Sequence, residues 1–516
     1  MLKKNHSFLL FIFLSTLSIC FAATPEPSEN KLKVLYNSLD PKSISQHLAF
    51  YDLYGNRAIG KQALQDAWNL MSTVNTAPMT HLTSSALTPD TLTALVSLVN
   101  KPVDQPLPTL NEADLSIIES ISASLAHNKL KGHKATSEAE VLQLPPSEID
   151  LARGLFLSQY DSDLSKIRSY EAMIDLMALQ ILVRLPPNAS DENKIETINK
   201  FIFDEMGFRF PPHSIYSKDI DLYTFLPSVL DSHRGVCLGV SILYLCIAQR
   251  LSLPLEMITP PGHIYVRYRT PEKTINIETT ARGINMDSDD YLSISTRSLQ
   301  QRNIKEVLGL AHVNQAAVWW QKEDYQKALE AYLKAEPYMK GDFLLKGLMG
   351  YAYIFTGQKD KGEPLLLEIK DHIPDFAVDK DTIPEDYLNG KVDAEGIKAI
   401  FKHTEEDRQS ILAKKNLIEE TVRKNPEFRA GIFHLGIAWI QLHRLGEALD
   451  ALKKYHSLYQ DDPDANFYLA ALYEHRMDYN NAWKHLRLAE AILRSRQYDS
   501  KMLKEFRKNL TSTCPE

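Results

Sequence analysis

Cysteine is nearly missing from this chain: four residues among 516, at positions 20, 237, 246 and 514. So few cannot organise a protein of this size through disulfides, and its folding has to rest on apolar cores. A basic excess is also missing. Lys and Arg number 58 against 66 Asp and Glu, for a formal net charge of −8, which argues against nucleic acid as a general partner. Past the first two dozen residues there is no uninterrupted apolar run long enough to span a bilayer.

The first residues, "MLKKNHSFLLFIFLSTLSICFAATPEPSEN", place Lys3 and Lys4 ahead of an apolar stretch with a small-residue exit near Ala22 or Ala23. This is the pattern of a secretory signal peptide, residues 1–22, and predicts an extracytoplasmic protein, periplasmic or secreted. Acylation at Cys20 fits less well, because Ile19 stands where a small residue is required. Cleavage removes two lysines and leaves −10, with three free cysteines in an oxidising compartment.

About 490 mature residues accommodate roughly three domains. Residues 23–146 give short amphipathic helices, such as "SISQHLAFYDLYG" and "DLSIIESISASLAH", and carry no chemical constellation. The polar "HNKLKGHKATSEAEVLQLPPSE" reads as a linker. In "ASDENKIETINKFIFDEMGF", Ser190 is an expected cap, and Ile195, Ile198, Phe201 and Ile202 share one face.

From about residue 306 to 505 the texture becomes periodic. Ala328 and Gly362 are 34 residues apart, as are Ala448 and Ala482, with Glu323 and Gly357 at turns and Pro374, Pro426 and Pro463 near boundaries. Residues 376–425 fit the register poorly, although "LIEETVRKNP" reads as the closing helix of one more unit. The period and its small-residue pattern resemble the tetratricopeptide repeat, which implies an all-α solenoid that binds a protein or peptide on its concave face.

The chemistry gathers in residues 147–305. Leu238 to Leu251 reads as one apolar helix, on which Cys237 and Cys246 are separated by roughly 13 Å and cannot pair. Cys246 lies within the apolar run and reads as packing. Cys237 stands at the helix entrance after Gly235, where amides and the helix dipole favour the thiolate. Downstream, "PGHIYVRYRTPEKTINIE" reads as a hairpin around "RTPEK", with His263, Tyr265 and Arg267 alternating against Ile264, Val266 and Tyr268. A turn centred on Thr270 and Pro271 sets His263 opposite Glu278, and a shift by one leaves them diagonal neighbours on one sheet face turned away from the apolar side. Nucleophile, base and orienting acid are then Cys237, His263 and Glu278. Arg234 is a candidate for holding backbone or a substrate carboxylate, and Tyr265 for lining the cleft. A metal reading would gather His233, Cys237, His263 and Glu278; His233 precedes the glycine turn rather than sitting on the helix, and no metal or cofactor is expected.

The order Cys, His, acid, with "RGVC" opening a helix and "PGHIYVRY" on the next strand, resembles the transglutaminase-like superfamily of papain-type folds, in a bacterial subgroup where the cysteine is often replaced. This chain keeps Cys237 and carries Glu278 where Asp is usual. The resemblance implies a papain-like α+β core inside a multidomain, α-rich chain. Its leading function is thiol-dependent amide hydrolysis or acyl transfer, on a protein or peptide chosen by the solenoid; the rival is a non-catalytic interaction scaffold with a degenerate core.

Overall fold

The computed structural model describes residues 27–73, 89–160, 163–211, 224–404 and 407–516. The expected signal peptide, including Cys20, lies outside them. Among the described residues no helix is long and apolar enough to cross a membrane.

The molecule is α-rich around one small antiparallel sheet. Helices Glu29–Asn37, Ile44–Tyr54, Ala58–Thr73, Pro89–Val99 and Glu112–Ser122 lead into a central group formed by Leu151–Tyr160, Leu164–Arg184, Asp191–Asn199, Leu226–Ser232 and Cys237–Arg250. Ser190 caps its helix as the sequence predicts, its side chain accepting from Asn193 N at 3.2 Å while Asn193 accepts from Ser190 N in return. The buried Tyr244, on the Cys237 helix, donates to Asn199 Oδ1 at 2.9 Å and so ties the two helices together.

The sheet strands are β1 (Glu256–Thr259), β2 (Tyr265–Arg269), β3 (Thr274–Glu278), β4 (Ile284–Asn285) and β5 (Gln300–Arg302), in spatial order β4-β3-β2-β1-β5. Its expected half-solvated face is covered: Tyr265 and Arg267 are buried as well as Val266 and Tyr268. Alternation in the sequence reflects two different coverings here, apolar packing on one side and a polar, aromatic layer on the other.

Two expectations about boundaries fail. The segment read as a linker is packed. His127 is 0% exposed, Gly132 lies so close to the next turn that a Cβ would meet Asp150 N at 2.6 Å, and Gln249 bonds Leu151 N and Ile149 O. His127 and His133 face each other and Asp150 inside the fold while Lys129, Lys131 and Lys134 stay at the surface, and composition alone reads the whole stretch as solvation. The break expected at residues 305/306 likewise crosses a continuous core, because Val307, Leu308 and Ala311 join the same buried cluster as Leu155 and Leu243. Across it, Arg302 meets Asp342 at 2.5 Å.

Beyond that seam, antiparallel helix pairs stack: Ile304–Gln321 with Tyr325–Ala335, Phe343–Phe355 with Lys359–Ile369, Arg429–Gln441 with Leu445–Leu458, and Pro463–His475 with Tyr479–Ser495. The repeat spacing has a backbone basis. Glu323, Gly357, His443 and Met477, each at the turn inside a pair, all take left-handed φ between 56° and 80°. Small residues allow the paired helices to touch, since a Cβ on Gly362 would stand 2.6 Å from Gly350 O. Between the second and third pairs, Ile383–Leu388, Ala394–Phe401 and Arg408–Lys424 fill the region that fits the period poorly. The last helix runs from Lys501 to Thr513, past the end expected at 505.

Candidate active site

Two chain segments meet at one point. In the first, His233 ends the Leu226–Ser232 helix with a left-handed φ of 51°, and Gly235 follows so tightly that a Cβ would lie 2.6 Å from Val240 Cγ2. Val236 is the N-cap of the next helix and offers no side-chain acceptor, so the leading amides keep their positive end toward Cys237, the first helical residue. Cys237 is part-buried and unpaired, whereas Cys246 is wholly buried nine residues on.

The second segment is the hairpin. Gly262, at φ 72°, completes a turn in which His263 N donates to Pro260 O, and His263 enters two residues ahead of β2. Strands β2 and β3 pair Val266 with Ile277 and Arg267 with Asn276. Their connection is Thr270–Lys273, one residue later than the expected turn centre, so Glu278 falls opposite Tyr265 and His263 one diagonal step away. Across that step His263 Nε2 donates to Glu278 Oε2 at 2.6 Å.

Hydrogen bonds to the Cys237 thiol and then to Glu278, acting against burial, raise the imidazole from 6.5 to about 9. With Nε2 committed to Glu278, Nδ1 is the nitrogen left for the thiol. Burial works to raise the Glu278 carboxyl, but hydrogen bonds from His263, Thr280 and Tyr291 hold it at about 2. Both its oxygens are occupied: Oε2 also accepts from Tyr291 O–H at 2.7 Å, and Oε1 accepts from Thr280 N at 3.1 Å and Thr280 Oγ1 at 2.5 Å. The result is an imidazolium–carboxylate pair beside a thiol, set at a helix entrance and charged at neutral pH.

Tyr291 and Thr280 escaped the sequence reading. Thr280 follows the acid by two residues and is the side-chain partner a short turn after a strand supplies. Tyr291 lies in a 3-10 turn, Ser288–Tyr291, and stacks on both His263 (centroids 5.7 Å apart, 11° between planes) and Tyr265 (4.7 Å, 22°). No spacing rule announces it. Tyr265, expected to line the cleft, is 0% exposed behind that ring and serves as its backing. Arg234, expected near substrate, directs its guanidinium toward Asp104 at 3.6 Å. His233 gives Nδ1 to a hydrogen bond with Met206 O and stacks on Phe208, which occupies it away from the other three groups of the metal reading.

Elsewhere among the described residues, His127, His133 and Asp150 bring their ligand atoms within 4.8 Å of one another. Arg250, wholly buried and bonded to Asp175 at 2.6 Å, adjoins them. Burial and that guanidinium hold His127 down at about 4, and the same positive field discourages a cation beside it.

Comparison with known proteins bears on this arrangement. Residues 168–319 match the model of the Transglutaminase-like superfamily. This part of the chain is a transglutaminase-like domain. Its match runs across residue 306, as the continuous core does. Among curated proteins, F-box only protein 21 of Mus musculus and of Homo sapiens are each 27% identical over 100 residues, 19% of this chain and 14% of theirs. Among solved structures, the TPR2AB domain of yeast Sti1 with pHSP90 is 16% identical at a TM-score of 0.21, covering 39% of this chain and 85% of that one. MamA from Desulfovibrio magneticus RS-1 is 15% identical at 0.20, covering 36% and 96%. Scores this low add nothing to the helix pairs already described.

Proposed function

We propose that the transglutaminase-like domain is a thiol-dependent amide hydrolase or acyltransferase, with Cys237 as nucleophile, His263 as acid and base, and Glu278 as the group that orients it. The observation that carries this reading is the 2.6 Å bond between His263 and Glu278, on an imidazole whose proton affinity the neighbouring Cys237 raises. Attacking as the thiolate while His263 stands protonated, the Cys237 sulfur bonds an amide carbonyl carbon, and the amide N–H at the helix entrance faces the developing oxyanion. Collapse breaks the C–N bond, and the amine leaves with the proton held on His263. Water or a second amine then opens the thioester, giving its proton to His263 and returning the sulfur to its starting state.

A protein or peptide substrate suits the stacked helix pairs, whose curved surfaces commonly bind extended chains. The N-terminal pattern Lys3-Lys4 to Ala22 supports action outside the cytoplasm, and N-terminal sequencing of mature protein starting near Ala23 is the check on that point.

The decisive experiment is mild alkylation near neutral pH with peptide mapping. Cys237 should react first, Cys514 should set the rate of an ordinary part-buried thiol, and Cys246, whose thiol burial pushes well up, should stay unmodified. His263→Ala should slow Cys237 by roughly tenfold or more and leave Cys514 unchanged. If Cys237 reacts no faster than Cys514 and ignores His263, the domain is a scaffold and the enzyme reading falls.

A further inference from the structure

The segment between β4 and β5, residues 286–299, touches two distant parts of the protein at once. Toward the site, Tyr291 bonds Glu278 at 2.7 Å and lies against His263. Toward the helix pairs, the carbonyls of Ser293, Ser295 and Thr296 and the amide of Arg297 are engaged. Tyr498, which follows the final pair, directs its hydroxyl at Ser293 O (2.9 Å) and Thr296 O (3.0 Å). Val378 N donates to Ser295 O at 2.9 Å, Thr296 forms an antiparallel bridge with Ala377, and Arg297 N donates to Phe376 O at 2.9 Å. Arg297 Nε reaches Asp375 O at 3.1 Å, and Lys501 pairs with Asp290 at 3.3 Å, one residue before Tyr291. Ile294 is buried in the same cluster as Val378, Leu493 and Leu503.

The array is therefore fastened at both ends to the domain it follows. Its first helix grows out of the central core, and its last elements return to grip the loop that carries Tyr291. A repeat array bends as a spring, because each unit contacts only its neighbours. A change in curvature along it is delivered to whatever its ends hold.

We propose that the C-terminal repeats are a positioning clamp for the site: Tyr498 and Lys501 hold the 286–299 loop so that Tyr291 stays seated on Glu278, and what the repeats bind is thereby coupled to the His263–Glu278 pair. The inference rests on the Cys-His-Glu reading for its catalytic meaning, though the coupling can be measured without it. Tyr498 acts through Tyr291 and touches no reacting atom, which makes it a positioning residue. With the Tyr291 hydroxyl withdrawn, water takes its place on Glu278 Oε2. Screening then weakens the attraction that favours the imidazolium.

Ring-nitrogen NMR of the full mature protein, labelled at histidine and assigned with His263→Gln, reads this directly. Groups facing His263 are Cys237, Glu278 and Tyr291, so a shift in its midpoint reports on those alone. Tyr291→Phe should lower the midpoint by roughly one pH unit, and Tyr498→Phe with Lys501→Ala should lower it similarly. Combining all three should add nothing, because both routes end at one hydrogen bond. Arg297→Ala, which frees the loop from Asp375, should act in the same direction and stands in if the Tyr498 variant does not fold. An unmoved midpoint in the Tyr498 and Arg297 variants, no effect of Tyr291→Phe, or a fully additive combination overturns the clamp. Alkylation of the same samples separates the two ideas: a sluggish wild-type Cys237 with a coupled His263 midpoint defeats the enzyme and keeps the clamp, and a reactive Cys237 with an uncoupled midpoint does the reverse.

Discussion

Ser241 Oγ and Thr279 Oγ1 lie 3.0 Å apart, both buried, the one a turn beyond Cys237 on its helix and the other next after Glu278, where the strand ends. This hydroxyl pair joins the element that presents the thiol to the element that presents the acid. Ser241→Ala should cost about 1–3 kcal/mol, because Thr279 is left buried without its partner, whereas Ser241→Ala with Thr279→Val should recover most of that loss. Urea melts of the single and double variants give the stability order, and Cys237 alkylation should slow in the single variant before the fold is lost.

The pH behaviour follows from two opposite shifts. His263 is raised from 6.5 to about 9, so its contribution is full below about 6.5 and disappears as pH climbs through 9; Glu278 is lowered from 4.5 to about 2, so its contribution is full above about 4.5 and disappears as pH falls through 2. The difference in Tm between wild type and Glu278→Gln should therefore be greatest between pH 4.5 and 6.5 and shrink above 9. A difference that grows with pH above 6.5 would contradict the ion pair.

Packing at the seam makes a prediction about truncation. A 23–305 fragment loses Val307, Leu308 and Leu310 from a shared core, which at about 1.5–3 kcal/mol for each apolar side chain amounts to roughly 5 kcal/mol or more. That fragment should melt without cooperativity or aggregate. Extending it to residue 356, through the helix carrying Leu345, Met349 and Ala352, should restore a cooperative transition by calorimetry.

At the repeat turns the left-handed backbone separates two substitutions of opposite sign. Met477, exposed and at φ 61°, should gain about 1 kcal/mol on replacement by Gly, and Gly357, at φ 80° with open space around it, should lose about the same on replacement by Ala. Thermal melts of the full chain should show the two shifts with opposite signs.

What the residues foretold and what they concealed divides along physical lines. Strand parity is a local rule, so His263 and Glu278 could be placed on one face even with the turn centre misjudged by one residue. Capping at Ser190 and the 34-residue period are local too. Tyr291 is held by a partner thirteen residues back and by residues some two hundred positions ahead, and no local pattern encodes such a placement. The polar segment at 127–148 misled for the complementary reason: buried ion pairs and solvated loops share a composition, and only the presence of Arg250, Asp175 and Asp150 around His127 and His133 tells them apart.

Arg250 also gives the nucleophile's helix a mechanical character. At its first residue stands Cys237; at its last, the fully buried guanidinium donates to Asp175 at 2.6 Å and to the Cys246 carbonyl at 3.1 Å. Sliding that rod along its own axis would tear a buried charge from its counter-ion, at a cost of several kcal/mol. The reach from sulfur to imidazole is accordingly set by an axial stop roughly 20 Å away, at the opposite end of the rod.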